Sequence, residues 1–282
     1  MTATTGPRHL ARLSEAGFER RGDHPALLFE GRTHSSGELF HRAARMAGGF
    51  AELGLRPGER VVIAMANCPE VSIAYHAAWR AGLVVTPATF LLPELELRHV
   101  LADSGARAVV TTPELLERVR AAGAGLPELG HVLCTGSPPA GAEEAGGIAP
   151  TRMLEELEQA AEAPIADRDE DDLAALLYTG GTTGRAKGVM LSHASLHYTG
   201  EAAHRSSYEP GLNRALVTLP LSHAYGLLVT VSALHAEEPG FSVLLRWFDP
   251  GVWLEMVQGH ALQHSALVPT MLQLLLGCAL ED

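Results

Sequence analysis

The order of apolar runs along the chain predicts an α/β protein built of mostly parallel sheets covered by helices. Two observations carry this. Short runs that read as buried strands, such as Val61–Ala66 and Ala108–Thr111, alternate with segments of helical spacing. Glycine and proline fall at the joins: Gly54 and Gly105 follow helical segments, and Pro69, Pro93 and Pro113 open them.

The elements follow in order. His9–Arg20 has helical spacing, and Ala26–Glu30 is a short strand closed by a turn at Gly31–Arg32. Ser36–Leu53 is an amphipathic helix stopped by Gly54. After the turn Arg56–Glu59 come a strand at Val61–Ala66, a helix at Pro69–Ala81 and a strand at Leu83–Thr86. Pro93 opens a helix to Ser104, Ala108–Thr111 is a strand, Pro113 opens a helix to Ala122, and His131–Cys134 is a strand. Gly136–Pro150, rich in small residues, reads as a linker or exposed loop, and Thr151–Ala161 as an acidic helix. The charged stretch Pro164–Asp172 leads into an apolar strand at Leu173–Thr179. The expected organisation is a first α/β subdomain over residues 1–165 and a second over 166–282. In the second, a loop and a short apolar run, Val189–Leu191, precede a helix that Ser192 caps. Then come a strand at Ala215–Leu219, a helix from Ala224 and a strand at Phe241–Leu245. Asp249 caps a helix with Pro250 at its first position, Ser265–Val268 is a last strand, and Pro269 opens a Leu-rich helix.

Composition narrows the function. Of 282 residues 46% are apolar, ample for a core, and the net charge of −12 disfavours a nucleic-acid surface. No apolar run reaches the length of a membrane span, and the N-terminal stretch lacks the apolar segment of a secretory signal, so a cytoplasmic protein is expected. The three cysteines, Cys68, Cys134 and Cys278, show no metal spacing and read as reduced thiols. His193 and His197 lie four apart without the acidic partner of a zinc helix, and the acidic run Asp169–Asp172 reads as a solvated face, so no metal site is expected.

The chemistry concentrates at Gly180–Gly188. This loop holds four glycines, two threonines and two cations between two strands, both expected to be buried, at a sheet edge. Glycines let backbone N–H groups turn toward an anion. The hydroxyls of Thr179, Thr182 and Thr183 can donate to phosphate oxygens, and Arg185 and Lys187 add charge. An ordinary hairpin turn is shorter and carries no such set. Nor is this a Walker A loop, because Ala186 precedes Lys187 and a strand, not a helix, comes next. Lys187 is the only lysine among 21 cationic residues, so a bias toward Arg has spared the one position where a compact, mobile charge suits a phosphate.

Tyr178–Gly188, YTGGTTGRAKG, resembles the phosphate-binding signature of the adenylate-forming enzymes, which include the AMP-forming acyl-CoA synthetases. Gly180 and Ala186 depart from the commonest form, where Ser and Pro are frequent, but both are small. Thr33–Gly82, Leu92–Thr112, Pro220–Leu227 (PLSHAYGL) and Ala266–Leu276 are similar to further stretches of that superfamily's large N-terminal domain. The resemblance implies an incomplete N-terminal domain without the small C-terminal one, since no later family motif is found. It implies that Thr179, Gly180, Gly181, Thr182, Thr183, Gly184, Arg185 and Lys187 hold ATP and that Lys187 acts in catalysis. His223 in PLSHAYGL would line the route of the acid to the α-phosphate, with Tyr225 and Gly226 shaping the same pocket. It further implies Mg²⁺ bridging the phosphates, coenzyme A as co-substrate, and a small-molecule acid as partner. The reaction expected is AMP-forming acid–thiol ligation. Two alternatives remain: the same fold activating an amino acid for a carrier protein or an inorganic acid such as nitrite, or a truncated, non-catalytic interaction module. Residues 1–282 alone are expected to be inactive, and to self-associate or bind a completing chain through the final Leu-rich helix.

Overall fold

The computed structural model describes residues 6–136, 149–180 and 185–278. From the N-terminus run α1 (Leu10–Arg21), β1 (Pro25–Phe29), β2 (Arg32–Ser35), α2 (Ser36–Glu52), β3 (Arg60–Ala64), α3 (Pro69–Arg80), β4 (Val84–Pro87) and α4 (Glu94–Asp103). Next come β5 (Ala106–Thr111), α5 (Leu116–Gly123), β6 (His131–Cys134), β7 (Thr151–Met153), β8 (Leu173–Thr179), β9 (Lys187–Ser192) and α6 (His193–Ser207). The chain continues through β10 (Arg214–Val217), α7 (Ala224–Ala233), β11 (Phe241–Leu244), α8 (Pro250–Gly259), β12 (His264–Ser265) and α9 (Pro269–Leu276).

The strands form two sheets, one of order β7-β6-β5-β3-β4-β8-β9 and one of order β12-β10-β11-β1-β2. Each is parallel except for one antiparallel edge pair, β8 with β9 and β1 with β2. The expected fold class is therefore what the chain adopts. Each sheet draws strands from both sides of residue 166: β8 pairs with β4, and β1 pairs with β11.

In the seven-stranded sheet the side chains alternate between two cores, following the strand period of two. Val61, Ile63 and Val85 share a core with Phe50, Tyr75 and Trp79 of α2 and α3. Val62, Ala64 and Val109 face Leu97, Val100 and Leu101 of α4 and Leu116 and Val119 of α5. With both faces covered, the strands read as unbroken apolar runs. In the smaller sheet, Leu216 and Val243 pack against Trp253 and Met256 of α8. Leu244 joins the main core with Leu227 and Val231 of α7. No helix among the described residues is long and apolar enough to cross a membrane.

Most element starts agree with the sequence. Ser192 accepts a hydrogen bond from the Ser195 N–H, and Asp249 caps α8 with Pro250 at its first position. Three expectations change. Thr151–Ala161 is not an α-helix: it forms β7 and a 3₁₀ stretch, Leu154–Gln159. The 3₁₀ stretch lies directly against α2, where a Cβ on Gly49 would come 2.5 Å from the Leu157 Cβ. This close packing and the pairing of β7 with β6 outweigh the helix propensity of the acidic run. The last strand shortens to His264–Ser265, because Val268 already caps α9. Finally, β9 is not buried. It is the outer strand, with Val189 44% and Met190 71% exposed. The expected linker Gly136–Pro150 lies largely outside the described residues.

Candidate functional site

The hairpin β8–β9 carries the predicted phosphate loop. Its register pairs Tyr178 with Gly188 and Thr179 with Lys187, so the two stems leave the sheet side by side. Tyr178 packs against Gly188, where a Cβ would come 3.2 Å from the ring and would push it outward by a few tenths of an ångström. Thr179, Gly180, Arg185 and Lys187 are exposed. Gly181, Thr182, Thr183 and Gly184 lie outside the described residues. Other arginines do find carboxylates: Arg42 sits between Glu70 and Glu158, and Arg246 between Glu30 and Glu114. The side chains of Arg185 and Lys187 make no ion pair or hydrogen bond with the described residues. Two exposed cations without a carboxylate partner among the described residues suit an anionic ligand.

His223 is the N-cap of α7. It is exposed, and its Nδ1 accepts a hydrogen bond from the Tyr225 N–H at 3.4 Å. This fixes the proton on Nε2, which has no partner among the described residues. Beside it lies a cavity of about 460 Å³ between α7, β10, β11 and β12, lined by Leu219, Tyr225, Leu228, Val229 and Ala266. Partial burial raises the Tyr225 phenol above its ordinary pKa, so it is a neutral wall of this cavity. Gly226, which was expected to shape the pocket with it, is buried against the Leu221 backbone instead.

What places His223 is a residue that sequence reasoning passed over. Asn67 follows β3 at its C-terminal end and is fully buried. Its Nδ2 donates to the Leu219 and Leu245 carbonyls, both at 3.1 Å, and its Oδ1 accepts from the Leu221 N–H at 2.8 Å. Two hydroxyls reinforce the clamp: Ser222 donates to the Met65 carbonyl at 2.8 Å and Tyr75 to the Leu221 carbonyl at 2.9 Å. Asn67 thus ties the end of β3 to the segments after β10 and β11. The C-terminal ends of the two parallel sheets meet at this side chain, and in open α/β sheets ligands gather at such ends. A polar side chain just after the apolar run Val61–Ala66 was the signal that could have found it.

The stems of the phosphate loop lie on the same edge. The entering stem is the C-terminal end of β8, which is two strands from β3 across β4 and so about 10 Å away. No hydrogen bond among the described residues joins His223 to the hairpin, but their helices touch. Gly200 of α6, which leaves β9, packs on Val231 of α7, where a Cβ would come 2.8 Å from the Val231 carbonyl oxygen. The other candidates are structural. His193 is buried and stacks on His9 at 3.9 Å between ring centroids. Burial pushes the Cys68 and Cys134 thiols up, away from nucleophilic character. No group of three His, Cys, Asp or Glu residues that could hold a metal occurs among the described residues.

The fold and site define a class, and comparison with known proteins agrees. The sequence profile of the AMP-binding enzymes matches residues 14–282, so the chain belongs to that adenylate-forming family. It is 36% identical over 237 residues to a feruloyl-CoA synthase of Amycolatopsis sp, covering 84% of this chain and 44% of that protein. It is 32% identical to 4-coumarate--CoA ligase 5 of Oryza sativa subsp. japonica, covering 93% of this chain and 48% of that one. Among solved structures, ATP-bound MatB from Rhodopseudomonas palustris aligns with a TM-score of 0.73 at 31% identity, over 95% of this chain and 51% of that one. The chain spans about half the length of the curated relatives it matches.

Proposed function

We propose that the protein carrying this chain activates a carboxylic acid with ATP and passes the acyl group to coenzyme A. A carboxylate oxygen attacks the α-phosphorus, the bond to the β-phosphate oxygen breaks, and pyrophosphate leaves. The thiol of coenzyme A then adds to the acyl carbonyl, its proton is lost, and AMP leaves. The observation that carries this reading is a pair of exposed cations, Arg185 and Lys187, whose side chains have no partner among the described residues, on a Gly/Thr hairpin whose stems lie at the C-terminal sheet edge. The β- and γ-phosphates depart as one anion, and fixed cations stabilise the charge that develops on it. His223 lies two residues before Tyr225, which lines the neighbouring cavity, and that cavity takes the organic part of the acid. Mg²⁺ is expected with the nucleotide. The described residues offer no acidic cluster for it, so no step here runs through the ion.

The test is ATP–pyrophosphate exchange by the full-length protein. The acid panel takes its members from the relatives: ferulate, 4-coumarate, 4-hydroxybenzoate, benzoate and sulfoacetate. Exchange with at least one acid, followed by acyl-CoA formation, supports the proposal. Absence of exchange with every acid, in a protein that binds ATP, refutes it.

A further inference from the structure

The two stems of the phosphate loop are held from one side by a single helix. His99 and Asp103 lie four residues apart on α4 and so share a face. The Nε2–H of His99 donates to the carbonyl oxygen of Ala186 at 2.8 Å, one residue before Lys187. The Tyr178 hydroxyl, at the end of β8, donates to Oδ2 of Asp103 at 2.7 Å. His99 also meets the Tyr178 ring edge-on, at 6.0 Å between centroids. One grip therefore takes the strand entering the loop, and the other takes the strand leaving it.

The helix providing these grips is itself anchored. Leu97, Val100 and Leu101 are buried in the core under the seven-stranded sheet. Nη1 of Arg98 bonds the Ala122 and Ala124 carbonyls at the end of α5. The hold on Ala186 also has a direction. The peptide between Ala186 and Lys187 is planar and trans, so turning its carbonyl toward His99 turns the Lys187 N–H away from α4. Neither side chain of α4 needs to reach a nucleotide to matter.

We propose that His99 and Asp103 are positioning residues for ATP: they fix the stems of the phosphate loop, so that ordering Lys187 is not left to the moment of binding. This rests on the reading that the loop holds ATP phosphates. A positioning role predicts a selective loss. Freeing a stem makes nucleotide binding carry the ordering cost, whereas the acid's cavity beside α7 does not touch α4.

The experiment compares His99→Ala, His99→Gln and Tyr178→Phe in the full-length protein. ATP affinity is read by calorimetry, KM for the acid by pyrophosphate release, and the melting temperature without ligand. One lost hydrogen bond corresponds to about three- to ten-fold weaker ATP binding in His99→Ala, and the same range holds for Tyr178→Phe. The acid KM should stay near wild type. His99→Gln should recover most of the affinity, because a side-chain amide N–H can reach the same carbonyl. Unchanged ATP affinity in His99→Ala, no recovery in His99→Gln, or equal losses for ATP and acid with a lowered melting temperature would each overturn the proposal. A wild-type protein that binds ATP but activates no acid would sink the ligase reading alone, and the ATP affinities would still decide the role of His99. A wild-type protein that binds no ATP would sink both.

Discussion

Replacing Asn67 by alanine tests the clamp that joins the two sheets. The change strips partners from the part-buried Leu219 carbonyl, from the buried Leu245 carbonyl and from the buried Leu221 N–H. A buried polar group left without a partner costs about 1–3 kcal/mol, so three cost on the order of 3–9 kcal/mol, toward the lower end because water can reach the part-buried Leu219 carbonyl. That is a large share of the roughly 5–15 kcal/mol that holds a typical domain folded. Thermal melting followed by circular dichroism should show a midpoint lowered by about 10 °C or more. Asn67→Asp gives an internal control. It keeps the acceptor for the Leu221 N–H but loses the amide donor, so an ionised carboxylate would face two carbonyls. Its folded pKa must then lie above its unfolded one. The stability linked to its proton is fully present below the unfolded value, near 4, and is lost as pH rises through the folded value. Asn67→Asp should therefore approach wild type in acid and fall furthest below it at neutral pH. A melting midpoint for Asn67→Ala within about two degrees of wild type would mean a loss under about 1 kcal/mol, and would refute the clamp.

Other outcomes follow from the same geometry. Lys187→Ala should weaken ATP handling in the full-length protein by about ten- to a hundred-fold, the worth of one charge-assisted hydrogen bond, and Lys187→Arg should also be impaired; wild-type exchange kinetics in the alanine variant would remove Lys187 from the site. His223→Ala should raise KM for the acid more than it weakens ATP binding, whereas equal losses for every acid with a lower melting temperature would make His223 a helix cap only. Burial holds His9 at about 4 and His193 at about 3, below their ordinary values. Folded-state stability from this pair is thus present above pH 6.5 and lost as pH falls through those values, at about 1.4 kcal/mol per pH unit for each ring. Melting temperatures from pH 7 to 4 should fall less steeply in His193→Gln than in wild type; parallel curves would argue against the pair. Residues 1–282 made alone should self-associate through α9, where Leu272, Leu274 and Leu276 are 48%, 52% and 79% exposed, and light scattering should show Leu276→Glu reducing it.

What the sequence determined by itself is local. The hairpin stems, the Ser192 and Asp249 caps and the strand at Leu173–Thr179 depend on residues a few positions apart, and periodicity and capping chemistry report them directly. Lys187 stood out through composition, and the family through the motif around it. What only the tertiary structure decided is which distant pieces meet. Asn67 reaches carbonyls 152 and 178 residues away, and His99 reaches Ala186 across 87. Each sheet interleaves strands from both halves of the chain, and close packing on Gly49 turned an expected helix at Thr151–Ala161 into a strand and a 3₁₀ stretch. The reason is physical. Strand pairing and buried side-chain hydrogen bonds are satisfied by whichever backbone the folded chain brings within about 3 Å, and no local pattern records which backbone that is.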